Sequence, residues 1–383
     1  MRSIRTLALV LALAALAGLA FAATTPAAAA AGQDSQSNTN ANSNANSNTR
    51  RRSQSRGSSS NSNSSRRDEG EGQDHSTHGV QDGGPGRSAP ARSRRSDESR
   101  YRFEVGVMPR HITNYFQAQE EFNSATTATP ARSVTVTTLS GSFEYDLARD
   151  DNSAVTAGLR VRRNLFKDLP GADSTDVDVT LDFDYQPNRF RLGYFGTPRR
   201  LASIVAGRNI YAETNGLSAE YFRRINRHWR ARGGYQFARE TFSEFKERDL
   251  SRHQVNGDIR YRVHPYFTPG VGFEYQRGSA ESENFSYSRP ALVLLATSDI
   301  KGRAYLSFRY RFSDREYTTD LAADSNFGRE DRRHDVSFYG TVQLGKGFSL
   351  FGFAYHTDNN SNRLTRTFTS TESGLGLFYR FPN

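Results

Sequence analysis

The chain has 383 residues, a formal net charge of +10 and no cysteine, with only 35% hydrophobic residues. The missing cysteine excludes a disulfide scaffold, thiol chemistry and a lipid anchor carried on cysteine. Beyond the N-terminal segment no apolar run approaches the roughly 18 residues that a membrane-spanning helix needs.

Arg2 and Arg5 precede an apolar stretch from Thr6 to Ala17, and Ala20-Phe21-Ala22 fits a small-x-small cleavage pattern. This predicts a secretory signal over residues 1–22, with the mature chain starting at Ala23. Residues 23–100 run from Ala-rich to Asn/Ser repeats to Ser/Arg/Gly. A segment so poor in core-forming residues is expected to be a disordered periplasmic tail. Its arginines, among them Arg50, Arg51, Arg52, Arg66 and Arg67, suit a tether on peptidoglycan phosphates or a periplasmic partner, with a plain solvated linker as the competing reading. Asp74, His75 and His78 in such a tail read as a chance pattern, so no metal or other cofactor is expected.

From Tyr101 the hydrophobic period becomes two. Tyr101, Phe103, Val105 and Val107 share one face of a first strand. Leu139, Phe143, Tyr145 and Leu147 mark a second, and Val155 to Val161 a third. Val177 to Tyr185 and Phe190 to Tyr194 follow, then Leu217 to Tyr221, Trp229 to Phe237, Val255 to Val263 and Val271 to Tyr275. A tenth strand near Tyr287–Thr297 has no clear facing, and the regions around Ile204 and Leu294 are ambiguous. Ala304 to Phe312, Val336 to Leu344, Leu350-Phe351-Phe353-Tyr355 and Leu375 to Phe381 complete the series. Short connections such as Arg149–Asn152, Gln186–Asn188 and Gly345–Gly347 alternate with longer ones such as His111–Arg132, Thr197–Asn209 and Ser313–Arg333.

Two-faced strands, aromatic residues near strand ends and alternating loop lengths agree on one fold class. The chain is predicted to be all-β: a transmembrane, antiparallel, up-and-down β-barrel of about fourteen strands over residues 101–383, with twelve and sixteen bounding the count. A soluble β-sandwich also alternates, but it gives no reason for one-sided aromatics or loop asymmetry. An exported barrel of this kind belongs in a Gram-negative outer membrane. Its expected partners are membrane lipid, lipopolysaccharide and the barrel-assembly machinery, the last recognising a closing strand that ends in Tyr379 and Phe381. Nothing points to nucleic acid.

With the apolar positions facing lipid, the alternate positions face the lumen, and they are dense in charge. Arg160, Arg162, Asp178, Asp182, Asp184, Arg189 and Arg191 lead the set, followed by Arg230, Arg232, Asp258, Arg260, Arg262, Glu274, Arg309 and Arg311. Unpaired and facing water, these groups would line a porin-like channel for small hydrophilic solutes, with a lean toward anions. Locked together, they would brace a barrel that conducts nothing and acts through partners. The histidines offer no Ser/His/acid grouping, so no enzyme is expected.

Arg329-Glu330-Asp331-Arg332-Arg333, then Tyr355-His356-Thr357-Asp358-Asn359-Asn360-Ser361-Asn362, then the Gly374–Phe381 strand resemble the end of the barrel in surface lipoprotein assembly modifiers. Porins encoded near exopolysaccharide operons have similar endings. The resemblance implies an outer-membrane barrel, and it gives the non-conducting alternative a concrete form: assistance in lipoprotein or exopolysaccharide export. Assembly modifiers carry a helical-repeat periplasmic domain where this chain has its Ser/Asn/Arg segment.

Overall fold

The computed structural model describes residues 100–115, 133–150, 152–169, 171–205, 208–300, 303–363 and 366–381. The expected signal, almost all of the expected tail and the His75/His78 pattern lie outside the described residues. The described residues form fourteen strands: β1 (Tyr101–Ile112), β2 (Val134–Arg149), β3 (Ser153–Phe166), β4 (Ser174–Tyr185), β5 (Asn188–Val205), β6 (Arg208–Arg224) and β7 (Trp229–Phe242). They continue as β8 (Leu250–Tyr261), β9 (Thr268–Ala280), β10 (Tyr287–Ile300), β11 (Ala304–Tyr317), β12 (Glu330–Gly345), β13 (Phe348–Ser361) and β14 (Phe368–Arg380). Each pairs antiparallel with its sequence neighbours, and β14 pairs with β1, so the sheet closes.

Closure leaves no unpaired edge, and the period-two pattern then separates an outer from an inner surface. Outward positions carry large exposed apolar side chains all round the wall. Examples are Phe103, Leu159, Leu192, Leu217, Val255, Phe273, Leu294, Phe338 and Leu375. A water-facing sheet with this surface would aggregate; a lipid-facing one is stable. The tenth strand, ambiguous in the sequence, turns Leu292 and Leu294 out and buries Val293.

Tight turns close the short-connection end. Asp150 accepts the backbone N–H groups of Asn152 (3.0 Å) and Ser153 (2.7 Å), and Asn226 accepts those of His228 and Trp229 (both 2.8 Å). Between β12 and β13, Gly345, Lys346 and Gly347 all have positive φ, a conformation glycine adopts without a Cβ penalty. A Cβ on Gly347 would sit 2.3 Å from the Arg380 carbonyl oxygen. The cap on β13 and the closing strand is therefore built around that glycine.

Two sequence expectations are corrected. The sequence places Phe351, Phe353 and Tyr355 with Leu350 on the apolar face, but of these four only Leu350 has outward parity. Phe351 packs edge-on against inward Phe378 (6.0 Å between centroids), and Tyr355 donates to Asp335 (2.7 Å). Both parities of this strand are apolar, so composition alone could not choose. The Thr197–Asn209 excursion is not a loop either: β5 runs to Val205 and β6 resumes at Arg208, with bulges at Thr197/Arg200 and Leu201/Ser203. Above the lipid belt, hairpin pairing needs no apolar outer face, so the periodic signal fades before the strand ends.

At the long-connection end an apolar cluster forms on the inner side of the wall. Ile112, Val134, Val136 and Leu201 meet Tyr115, Leu169 and Ala172, the last two supplied by the β3–β4 connection. Arg248, beside β8, is buried between the Phe242 and Phe285 rings (5.0 and 5.4 Å). These connections fold back onto the barrel.

Candidate functional site: the charged lumen

The inner wall gathers the predicted charge, and most of it is paired. On the β3–β6 side Arg162 meets Asp178 (3.3 Å) and Asp176 (3.8 Å). Arg189 and Arg191 converge on Asp182 (2.9 and 2.8 Å). Arg232 reaches Glu220 (2.8 Å), and Arg260 reaches Asp258 two residues away on its own strand (2.6 Å). On the β9–β13 side Glu274 holds Arg309 and Arg311, and Arg311 also holds Asp335 (2.6 Å).

Some predicted positions are not locked. Among the described residues Arg160 and Asp184 have no ion pair. Neither do Arg230 and Arg262 near the short-connection end, where Arg262 donates to the Pro265 carbonyl (3.1 Å). Arg160 lines a cavity of about 140 Å³ with Asp178, Asp182 and Arg191. A second cavity, of about 180 Å³, lies beside the apolar cluster and is lined by Arg110, Arg162, Arg200, Glu240, Tyr355 and Glu372 among others.

The sequence reading missed the centre of the network. Asp335 accepts from Arg311 Nε and Nη2 (2.8 and 2.6 Å), Arg333 Nε (2.8 Å), the Tyr355 hydroxyl (2.7 Å) and the Thr357 hydroxyl (2.8 Å). Arg329 and Asp331 pair beside it, and both are buried. Parity could have found these groups, since Asp331, Arg333 and Asp335 alternate with outward Arg332 and His334. Two further pairs, Arg110–Glu372 (2.7 Å) and Glu104–Arg380 (2.9 Å), cross the seam between β1 and β14.

Tyr379 and Phe381, the predicted insertion signal, lie on the outer face at that seam. Phe381 stacks on Phe103 (5.0 Å) and donates its N–H to the Phe103 carbonyl (3.1 Å); Tyr379 packs on Phe348 (4.7 Å). Among the described residues no His, Asp and Glu side chains are grouped as metal ligands.

The family model for surface lipoprotein assembly modifiers matches residues 172–372, more than half of the chain. The chain belongs to that family. The matched stretch takes in β4 to β13 and the first residues of β14, so it lies within the β-barrel. No curated protein matches the chain. Among solved structures it is similar to the outer membrane channel DcaP of Acinetobacter baumannii, with 11% identity and a TM-score of 0.40 over 73% of this chain and 96% of that one. OccAB3 of the same organism gives 8% and 0.41 over 73% and 99%. OmpT of Vibrio cholerae gives 8% and 0.40 over 73% and 97%. Likeness at this level carries no functional argument.

Proposed function

We propose that this barrel assists the assembly of lipoproteins at the cell surface, the role in its family's name, rather than serving as an open porin. The pairing of the lumen charges supports this most. Water-facing, unpaired arginines would favour solute passage, whereas here Arg162, Arg189, Arg191, Arg232, Arg260, Arg309 and Arg311 all meet carboxylates. A buried pair costs desolvation and is weak evidence for stability alone, but it fixes side chains in one arrangement. The apolar cluster at the long-connection end adds a barrier to ions.

A second reading rests on the two lumen cavities: water-sized space lined by Arg160, Asp178 and Asp182 suits narrow passage of small hydrophilic solutes. One pair of measurements separates them. The mature chain, with and without residues 23–97, is placed in planar bilayers and its conductance recorded. The surface exposure of lipoproteins is compared in cells with and without the gene. Silence in the bilayer with lost lipoprotein display is expected. Steady conductance with unchanged display would replace the assembly reading with the solute channel, and conductance only after truncation would make the tail a plug.

A further inference from the structure

The outer face carries the same three-residue arrangement twice. On β7 and β8, the Tyr235 hydroxyl lies 2.8 Å from His253 Nδ1, and Phe237 packs on the same imidazole (5.0 Å, 50°). On β11 and β12, the Tyr310 hydroxyl lies 2.8 Å from His334 Nδ1, and Phe312 packs on that ring (5.1 Å, 48°). In both copies the phenylalanine is the direct register partner of the histidine. Where the tyrosine donates to Nδ1, a neutral imidazole carries its proton on Nε2, free to donate elsewhere.

The two copies differ in the charge around them. Beside His253 the register partner on β9 is Arg277, and two residues beyond Phe237 stands Arg239. Beside His334 the corresponding places hold Asp358 and Asp314. Arg239 and Arg277 are exposed, and among the described residues neither has an ion pair or side-chain hydrogen bond. The outward carboxylate on neighbouring β6, Glu213, is opposite Thr241 and accepts from Asn215 (2.7 Å), while Arg239 is opposite Asn215. Strand spacing puts the Arg239 and Arg277 Cα atoms about 12 Å apart, with Ser251 and His253 between them.

Directly below this cationic bracket, toward the short-connection end, Tyr235, Val255, Phe273, Tyr275 and Leu217 are exposed apolar side chains. Long connections of such barrels face outward from the cell, so the bracket stands where headgroups of the outer leaflet meet their acyl chains. Two guanidinium groups and an imidazole N–H above an apolar slope complement a phosphate that carries acyl chains.

We propose that Arg239, His253 and Arg277 form a docking site for the phosphorylated disaccharide headgroup of an outer-leaflet glycolipid, with its acyl chains on Tyr235, Val255 and Phe273. The site rests on the outer-membrane placement of the barrel and not on what the lumen does. The second copy, with acids in place of the arginines and its own Arg332 paired to Asp314 (3.8 Å), does not bind phosphate.

The test is native mass spectrometry of the full chain, purified in detergent and loaded with bisphosphorylated lipid A, monophosphorylated lipid A or phosphatidylglycerol. Heat-modifiable migration on gels checks that each barrel has folded. One bound bisphosphorylated lipid A is expected. Its affinity should fall at least roughly fivefold in R239Q/R277Q, the loss of two exposed charged contacts, and stay unchanged in His334→Ala. The reverse exchange, D314R/D358R, should raise the bound number toward two, a gain that misfolding cannot imitate. Undiminished binding by R239Q/R277Q, or equal binding of phosphatidylglycerol, would overturn the site. Recovery of the native barrel outside the outer-membrane fraction would instead remove the placement on which it rests.

Discussion

Replacing Asp335 with Asn preserves the shape of the side chain and removes its charge. Asp335 is the acceptor of five hydrogen bonds from four side chains, and two of those, Arg311 and Arg333, are cations. The side chains of Arg311, Arg333 and Asp335 are 6%, 7% and 5% exposed, so water cannot replace the lost carboxylate. A charge-assisted hydrogen bond contributes about 1.5–3 kcal/mol, and breaking a buried pair by removing one partner costs about 3–5 kcal/mol. Glu274 remains near Arg311 (3.5 Å) and limits the damage to the lower part of that range. Asp182→Asn is the matched comparison, because Asp182 also serves two arginines, Arg189 and Arg191, but they are 29% and 30% exposed. Solvent screening reduces that loss to about 1 kcal/mol or less. Urea unfolding of the barrel in lipid vesicles, followed through the single tryptophan, Trp229, reads both variants. A loss for D335N no larger than for D182N would refute the reasoning that burial decides the worth of these pairs.

Two further substitutions probe the closure of the barrel. Gly347→Ala combines a φ of +85° with a Cβ 2.3 Å from the Arg380 oxygen, whereas Gly345→Ala has a φ of +92° and open space. Both carry conformational strain of about 1 kcal/mol, and G347A alone must also shift the closing strand, so urea midpoints should fall in the order wild type, G345A, G347A. Phe381→Ala removes a stack on Phe103 and an edge contact with Tyr379, about 0.5–1.5 kcal/mol each. Its level in the outer membrane of cells should drop far more than its refolding yield in vesicles; equal drops would mean the residue is a packing contact and no assembly signal.

How much of this could be read in advance varies with the surface. Outward parity was legible almost everywhere because lipid makes the same demand at every position of the belt: Phe143, Leu159, Leu192, Tyr235 and Leu377 answer it one after another. Where the inner wall is apolar as well, the signal cancels. Inward Phe351 packs on Phe378 and on Phe353 beside outward Leu350, and no period survives in that stretch. The reach of the strands was underestimated for a related reason. Beyond the belt nothing selects apolar residues, so β5 and β6 continue to Val205 and from Arg208 without announcing themselves. Lumen charge was legible residue by residue but its pairing was not. Asp335 is satisfied from β11, β12 and β13 together, and neighbours of that kind exist only once register is fixed.

Pairing is uneven around the wall, and that bears on how anything could move through it. On β9 to β13, Glu274, Arg311, Arg333 and Asp335 are buried, closing that side into a rigid network. On β2 to β8 the pairs around Asp182 are partly exposed and border the 140 Å³ cavity, where Arg160 lacks a carboxylate within ion-pair distance. Rearranging a half-exposed pair costs little, because water takes over each charge as it leaves its partner. Rearranging the Asp335 network strands two buried arginines at once. The pairs around Asp182 are therefore easier to rearrange than the network around Asp335.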